Sequence, residues 1–358
     1  MPGEKRPGIA QNQISENKRI DTKDILDEKS EILLFAKIKN ESLRIEHFLE
    51  WYRQLGVARF FFIDNESNDG TLEIILDQPD CHVFQNAGNM GHAKAGIDWI
   101  TPLLNEYGAG HWCVIADADE LLVYQDYEKE KLSVLCERLR SNGFNAFHCT
   151  LIDMYPAKSR DAKAYSAGQP FLKFSPLFDR KGYSFYRFED GNITVKGGPR
   201  ARLFYSVRMA RITRFALRVI RTGLPVLKGI KLFKRLEPKF PPDLNKVPLV
   251  YWNASLSYAN AAHYLYNAKI ATETGALLHF KFLGDFAGRM GNATLAAAYF
   301  NQGEEYKRYN ARLKSQDDIR FQCNLTVPFK GSRQLIDLGL IRPCEAPRRV
   351  EAKRLSAK

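Results

Sequence analysis

The stretch HWCVIADADELLV, residues 111–123, changes character at its midpoint. Trp112 to Ala116 make an unbroken apolar run of strand length, and Asp117-Ala118-Asp119-Glu120 follow at once. A short apolar run that ends abruptly in polar residues reads as a strand buried on both faces. Three runs of the same kind precede it: ILLFAKI (32–38), VARFFFID (57–64) and HVFQ (82–85). Helical spacing fills the gaps, with Ile45, Phe48, Leu49 and Tyr52 before Gly56, a short helix from Asp69-Gly70-Thr71 to Leu76, and Ile97, Ile100, Leu104 and Tyr107. Strand and helix alternating in this way predict an α/β fold: a Rossmann-like, mostly parallel sheet with helices on both faces.

Working outward, the pattern loosens. A helix is expected around Leu132–Leu139 and a strand over 145–152, followed by irregular, aromatic-rich sequence to Tyr205. GALLHFKFL (275–283) reads as a late strand, with Leu278, Phe280 and Phe282 facing one way and His279 and Lys281 the other. Residues 1–28 are polar and aperiodic, so they are expected to form a flexible tail. The main domain is placed at 29–295, and 296–358 is expected to form a charged helix and a basic tail.

The chain has 358 residues, 45% of them hydrophobic, which is enough for a core without disulfide or metal staples. No apolar run nears the roughly 18 residues of a membrane span, and no signal-like segment opens the chain. A cytoplasmic location is therefore expected. Six scattered cysteines without a C-x-x-C pair read as reduced thiols, several of them in the core.

Net charge is +12, and it is local: ten basic residues stand between Arg208 and Lys239 against Glu237 alone. Arg211, Arg214, Arg218 and Arg221 recur on one side of a helix while apolar residues cover most of the other. The insertion 208–240 is thus read as a basic amphipathic segment. It suits peripheral attachment to an anionic membrane surface at the inner face, with a helix packed on its own domain as the alternative. No nucleic acid is expected as a partner, since no recognised binding motif accompanies the charge.

Ligands of parallel α/β sheets bind at the carboxyl ends of strands. Three such ends here are polar: Lys39-Asn40-Glu41, the run from Asp64 and Asn65 to Thr71, and Asp117-Ala118-Asp119-Glu120. Carboxylates at i and i+2 of an extended segment project to one side and repel, and Mn²⁺ or Mg²⁺ would compensate them. A cation so held would also clamp a nucleotide diphosphate and neutralise its charge as a leaving group.

AKIKNE, FFIDNESNDGT and VIADADELLV, in that order and spacing, resemble glycosyltransferase family 2 enzymes of GT-A fold, in the subgroup with a D-x-D-E-[FL] motif. The resemblance covers about 31–125 and resumes at KVPLVYW (246–252), His263 and GALLHFKFL. It implies a metal-dependent glycosyltransferase that moves a sugar from a nucleotide-diphosphate sugar to an acceptor hydroxyl, inverting, on a glycan or lipid-linked acceptor. Carried onto this chain, Lys39, Asn40, Glu41, Asp64, Asn65, Lys94, Asp117 and Lys281 would line the donor pocket. Asp117, Asp119 and His279 would hold the Mn²⁺ or Mg²⁺. The general base is sought at Asp190, in the pair Glu189-Asp190, with Asp153 as the other candidate. An Glu-Asp-Gly turn competes with that reading.

Two alternatives stand beside it. A nucleotidylyltransferase would also use carboxylate-bound metal, but it would be expected to carry a glycine-rich loop where Lys39-Asn40-Glu41 stands. A noncatalytic protein could use the basic segment alone to hold anionic lipid or nucleic acid.

Overall fold

The structure, a computed structural model, describes residues 16–158, 161, 164–205, 241–259, 261–284, 307–309, 311 and 319–344. The basic segment 208–239 and most of the expected C-terminal helix lie outside these residues. In chain order the elements begin β1 (Lys18–Arg19), β2 (Ile32–Ile38), α1 (Ile45–Leu55), β3 (Val57–Asp64), α2 (Thr71–Leu76), β4 (Cys81–Gln85), α3 (Ile97–Leu103) and β5 (Trp112–Ile115). There follow β6 (Glu120–Val123), α4 (Leu132–Ser141), β7 (Ala146–Asp153), α5 (Phe171–Phe174), β8 (Leu177–Asp179), β9 (Tyr183–Arg187), β10 (Ile193–Gly197) and α6 (Gly198–Phe204). The last are β11 (Asn245–Tyr251), β12 (Ser257–Ala259), β13 (Tyr264–Tyr266), β14 (Ile270–His279), β15 (Thr326–Pro328) and α7 (Ser332–Asp337).

Nine strands form one sheet, in the order β1-β4-β3-β2-β5-β11-β7-β14-β6. The block β4-β3-β2-β5 is parallel throughout, as apolar strands joined by helices require. Beyond it, β11 is antiparallel to both β5 and β7, β7 and β14 are parallel, and β6 is antiparallel to β14. The α/β class is as expected, but the sheet is mixed instead of mostly parallel. One cause is local: a tight turn, with no crossover helix, links β5 to β6.

Alternation along β2 and β3 sorts the core into two layers. Leu34, Ala36, Phe60 and Phe62 pack with Phe48 and Tyr52 of α1, Ile75 of α2 and Leu135 of α4. Leu33, Phe35, Phe61 and Ile63 pack with Ile97 and Ile100 of α3 on the other face. Each fully buried aromatic or aliphatic side chain contributes about 1.5–3 kcal/mol, so this layer pair holds the strand ends in place. Four of the six thiols, Cys81, Cys113, Cys136 and Cys149, are buried, and all six are free.

Residues 16–28 depart from the expected tail. Lys18 and Arg19 pair antiparallel with Gln85 and Phe84, and Asp21 accepts the Val83 N–H at 2.7 Å. The Lys23 ammonium donates to the carbonyls of Leu76, Gln78 and Cys81. A two-residue strand held by polar contacts leaves no hydrophobic period to read. Among the described residues no helix is long and apolar enough to cross a membrane.

Candidate functional site

Three neighbouring strands bring the acidic cluster together. His279, the last residue of β14, stands opposite Glu120 of β6 on one side and Asp153 of β7 on the other. Asp153 is wholly buried and accepts from His279 Nδ1 at 2.7 Å and from Arg200 Nε at 2.9 Å. With Nδ1 committed to Asp153, His279 turns Nε2 toward Asp119, 3.4 Å away. Burial disfavours an imidazolium, but the Asp119 charge and the bond to Asp153 outweigh it and raise His279 to about 9. Burial likewise acts to raise Asp119, and the His279 charge reverses this and holds it well below the carboxylate range.

Asp117-Ala118-Asp119-Glu120 is a turn, not an extended segment. The Glu120 N–H donates to the Asp117 carbonyl at 2.9 Å, and the Glu120 carboxylate accepts the Asp117 N–H at 3.1 Å. The expectation that the two aspartates project side by side is corrected here, because period-two geometry holds only along a strand. Asp117 points instead to the Lys37 ammonium and to Lys246 Nζ at 2.7 Å, while Asp119 points to His279. Lys246 also reaches Glu120 at 2.6 Å. Burial acts to raise Asp117, and the two ammonium groups overcome it and hold it well below its ordinary value. Protein cations therefore already offset the repulsion that spacing alone assigned to a metal.

Lys246 owes its aim to an irregularity in a central strand. β11 contains Pro248, which has no N–H for the ladder, and its register with β7 slips between Lys246 and Leu249. Such bulges re-aim side chains. Here the bulge stands beside the Lys246 ammonium that joins Asp117 to Glu120.

Ligand atoms of Asp119, Glu120 and His279 lie within 4.8 Å of one another, and Asp117 is outside this group. Two hard carboxylates and an imidazole whose other nitrogen is anchored by a carboxylate suit a divalent cation in kind. The Asp117 and Asp119 side chains keep 35% and 21% of their exposure, so a ligand can reach them.

The remaining sequence candidates divide. Asp64, fully buried, accepts the Ser67 N–H at 3.1 Å. Asn65 donates to the carbonyls of Asn86 and Gly88, and Lys39 lies 3.5 Å from its side-chain oxygen. Asn40, at a positive φ of 55°, donates its N–H to Ser67 Oγ and accepts the Asn68 N–H, and the Glu41 N–H donates to Thr71. Glu41 also pairs with Arg44 at 3.2 Å. These residues zip the first two strand-end loops together. Lys94 pairs with Asp98 at 2.8 Å, and Lys281 lies over the Tyr309 ring at 5.6 Å; neither contact is part of the acidic cluster. The expected strand over 275–283 ends at His279, so Lys281 is not held beside it by strand period.

Glu189 and Asp190 are exposed in the β9–β10 turn, where Asp190 accepts from the backbone and side chain of Asn192. The opposite end of that hairpin, at Gly197, leads directly to Arg200, and four residue rises of about 3.3 Å separate the two ends. The structure thus does not bring Asp190 to the cluster, and the turn chemistry of Glu-Asp-Gly explains it. Asp153 is there but serves as a positioning residue between His279 and Arg200. Glu120 was read only as part of the polar strand end, and Lys37, Arg200 and Lys246 were given no site role; for the lysines, a position inside or opening an apolar strand was the available signal.

Gly96 protects the Lys37 contact. Its φ is +83°, and a Cβ there would collide with Lys37 Cδ. Gly96→Ala is expected to destabilise the fold by about 1–2 kcal/mol from the left-handed backbone alone, and further by displacing Lys37. Urea unfolding of Gly96→Ala in wild-type and Lys37→Ala backgrounds checks this: a coupling of at least about 1 kcal/mol is expected. Equal costs in both would place Lys37 elsewhere. No protein-family model matches the sequence, and no curated protein matches it.

Proposed function

We propose that this chain is a metal-dependent glycosyltransferase acting on a nucleotide-diphosphate sugar, with a glycan or lipid-linked acceptor. The observation that carries this reading is the group Asp119, Glu120 and His279, whose donor atoms lie within 4.8 Å of one another beyond the carboxyl end of a parallel strand, with the partly exposed Asp117 beside it. Asp119, Glu120 and His279 would hold Mn²⁺ or Mg²⁺. Once bound, the cation would neutralise charge on the departing nucleoside diphosphate. Asp153 fixes the His279 ring, and Arg200 fixes Asp153. Lys37 and Lys246 hold Asp117 ionised beside the place a diphosphate would occupy. The pair Glu189-Asp190 has no part in this reading. Attachment to an anionic membrane through 208–239 is proposed as the means of reaching a lipid-linked acceptor.

Release of nucleoside diphosphate from a panel of nucleotide sugars with Mn²⁺ tests the proposal. Turnover is expected in the wild type, with a fall of about 100-fold or more in excess EDTA or in Asp119→Asn. Full turnover in excess chelator removes the metal-dependent mechanism.

A further inference from the structure

On the face of β7 opposite Asp153 lies a second concavity that the proposed reaction does not use. It encloses about 120 Å³ between β7, the β9–β10 hairpin, β14 and the segment 339–342. Its polar lining is His148 and Thr150 of β7, Arg187 at the end of β9, Thr274 of β14 and Arg342. His148 and Asp153 are five residues apart on one strand, which sets them on opposite faces and about 16 Å apart along it.

Two observations point to a ligand. His148 is only 1% exposed, and neither ring nitrogen has a hydrogen-bond partner. The Ile193 backbone stands near the ring and favours its protonated form without completing a bond; burial and the two arginines prevail and lower His148 to about 3, so the ring is neutral and presents one N–H. Arg187 and Arg342 face the same space, and among the described residues neither forms an ion pair with a carboxylate. Arg187 makes one long bond to the Thr272 carbonyl, 3.5 Å, and the Arg342 backbone exchanges bonds with Thr274. Burial first, and then the charge of Arg342, lower Arg187 from its ordinary value. Water has room here and would satisfy the imidazole, a single molecule needing only about 10–15 Å³. It would not engage the paired donor forks that Arg187 and Arg342 present to the same space.

We propose that this cavity binds a phosphoryl dianion, gripped by Arg187 and Arg342 with His148 donating from below. Two fixed positive charges match a dianion, and the planar donor fork of each arginine fits phosphate oxygens two at a time. A phosphoryl group carries nearly two charges at neutral pH. It is either inorganic phosphate or the phosphate of a small monoester, since the chemistry recognised is the same.

Titration calorimetry with inorganic phosphate and with glycerol phosphate, each against a chloride control of equal ionic strength, tests it. The wild type is expected to bind phosphate. Arg187→Gln and Arg342→Gln, both at exposed positions, should each weaken binding at least tenfold, and the double variant should abolish it. Asp119→Asn should bind phosphate as the wild type does, so failure of the catalytic reading leaves this one standing, and the reverse. Tighter binding of inorganic phosphate identifies the free ion; tighter binding of the ester identifies a phosphorylated molecule. No binding above the chloride control, leaving water as the only occupant, overturns the proposal. So does unchanged affinity in the double variant, which would place the anion on another basic surface.

Discussion

Replacing Lys246 by methionine is expected to cost the folded chain about 3–5 kcal/mol at neutral pH, the penalty for leaving a buried charge without its partner. Methionine keeps the volume of the stem and removes only the ammonium. Glu120 then suffers most, because its side chain is 2% exposed and both its oxygens accept from Lys246, at 2.6 and 2.7 Å. Asp117 loses one of two cations, retains Lys37 and is partly solvated, so its share is smaller. Urea unfolding measures the difference. Lys246→Met combined with Glu120→Gln should recover most of the loss, since the pair removes both charges; no recovery would mean the ammonium matters through Asp117 alone.

The pH dependence of that cost follows from Glu120. Burial raises its pKa above the ordinary 4.5, Lys246 opposes this and the Asp117 charge adds to it. Without Lys246 the pKa rises further. A carboxyl whose folded pKa is raised binds its proton more readily in the folded state, so folding is favoured below the unfolded pKa and loses that advantage as pH rises through the folded one. The gap between wild type and Lys246→Met should therefore be smallest near pH 4 and widen toward neutrality. A gap that narrows with rising pH would contradict the assignment of the buried charge to Glu120.

The parallel half of the sheet was legible because apolar runs and helical spacing are local signals. ILLFAKI, VARFFFID and HWCVIAD form β2, β3 and β5 within a residue or two. The other half was not, because the partners of β11 and β14 are set by contacts about a hundred residues or more away in sequence. The site divides along the same line. Asp119 was legible as a strand-end acid, and His279 as one of two polar residues, with Lys281, on an alternating segment. Lys246 was not legible, because nothing in KVPLVYW shows that a bulge at Pro248 lets it point at two carboxylates from a central strand. Asp190 misled because a turn signal and an acid pair are the same three residues, and only the hairpin register separates them.

Mn²⁺ affinity should separate the two sets of ligands that could surround Asp119 and His279. Spacing favours Asp117 as the third; proximity of donor atoms favours Glu120. Asp117 is turned by the Asp117–Glu120 bond toward Lys37 and Lys246, away from the imidazole, and its charge is already balanced by two ammonium groups. Glu120 shares its one lysine with Asp117 and stands directly across the ladder from His279. Metal-site partners of this kind are worth about 10–100-fold in affinity, and first ligands more. Asp119→Asn and His279→Gln are therefore expected to lose Mn²⁺ binding by about 100-fold or more. Asp153→Asn, which loosens the grip on His279 Nδ1, should lose about 10–100-fold, and Glu120→Gln, which removes a ligand, about 100-fold or more. Asp117→Asn should stay within about threefold of the wild type on the same grounds of distance from the donor group. Calorimetric titration of the five variants, each first checked for native circular dichroism, gives the comparison. Loss at Asp117 with retention at Glu120 would mean that the turn opens on binding and restores the side-by-side aspartates, making the metal, not the two lysines, the counter-charge for Asp117.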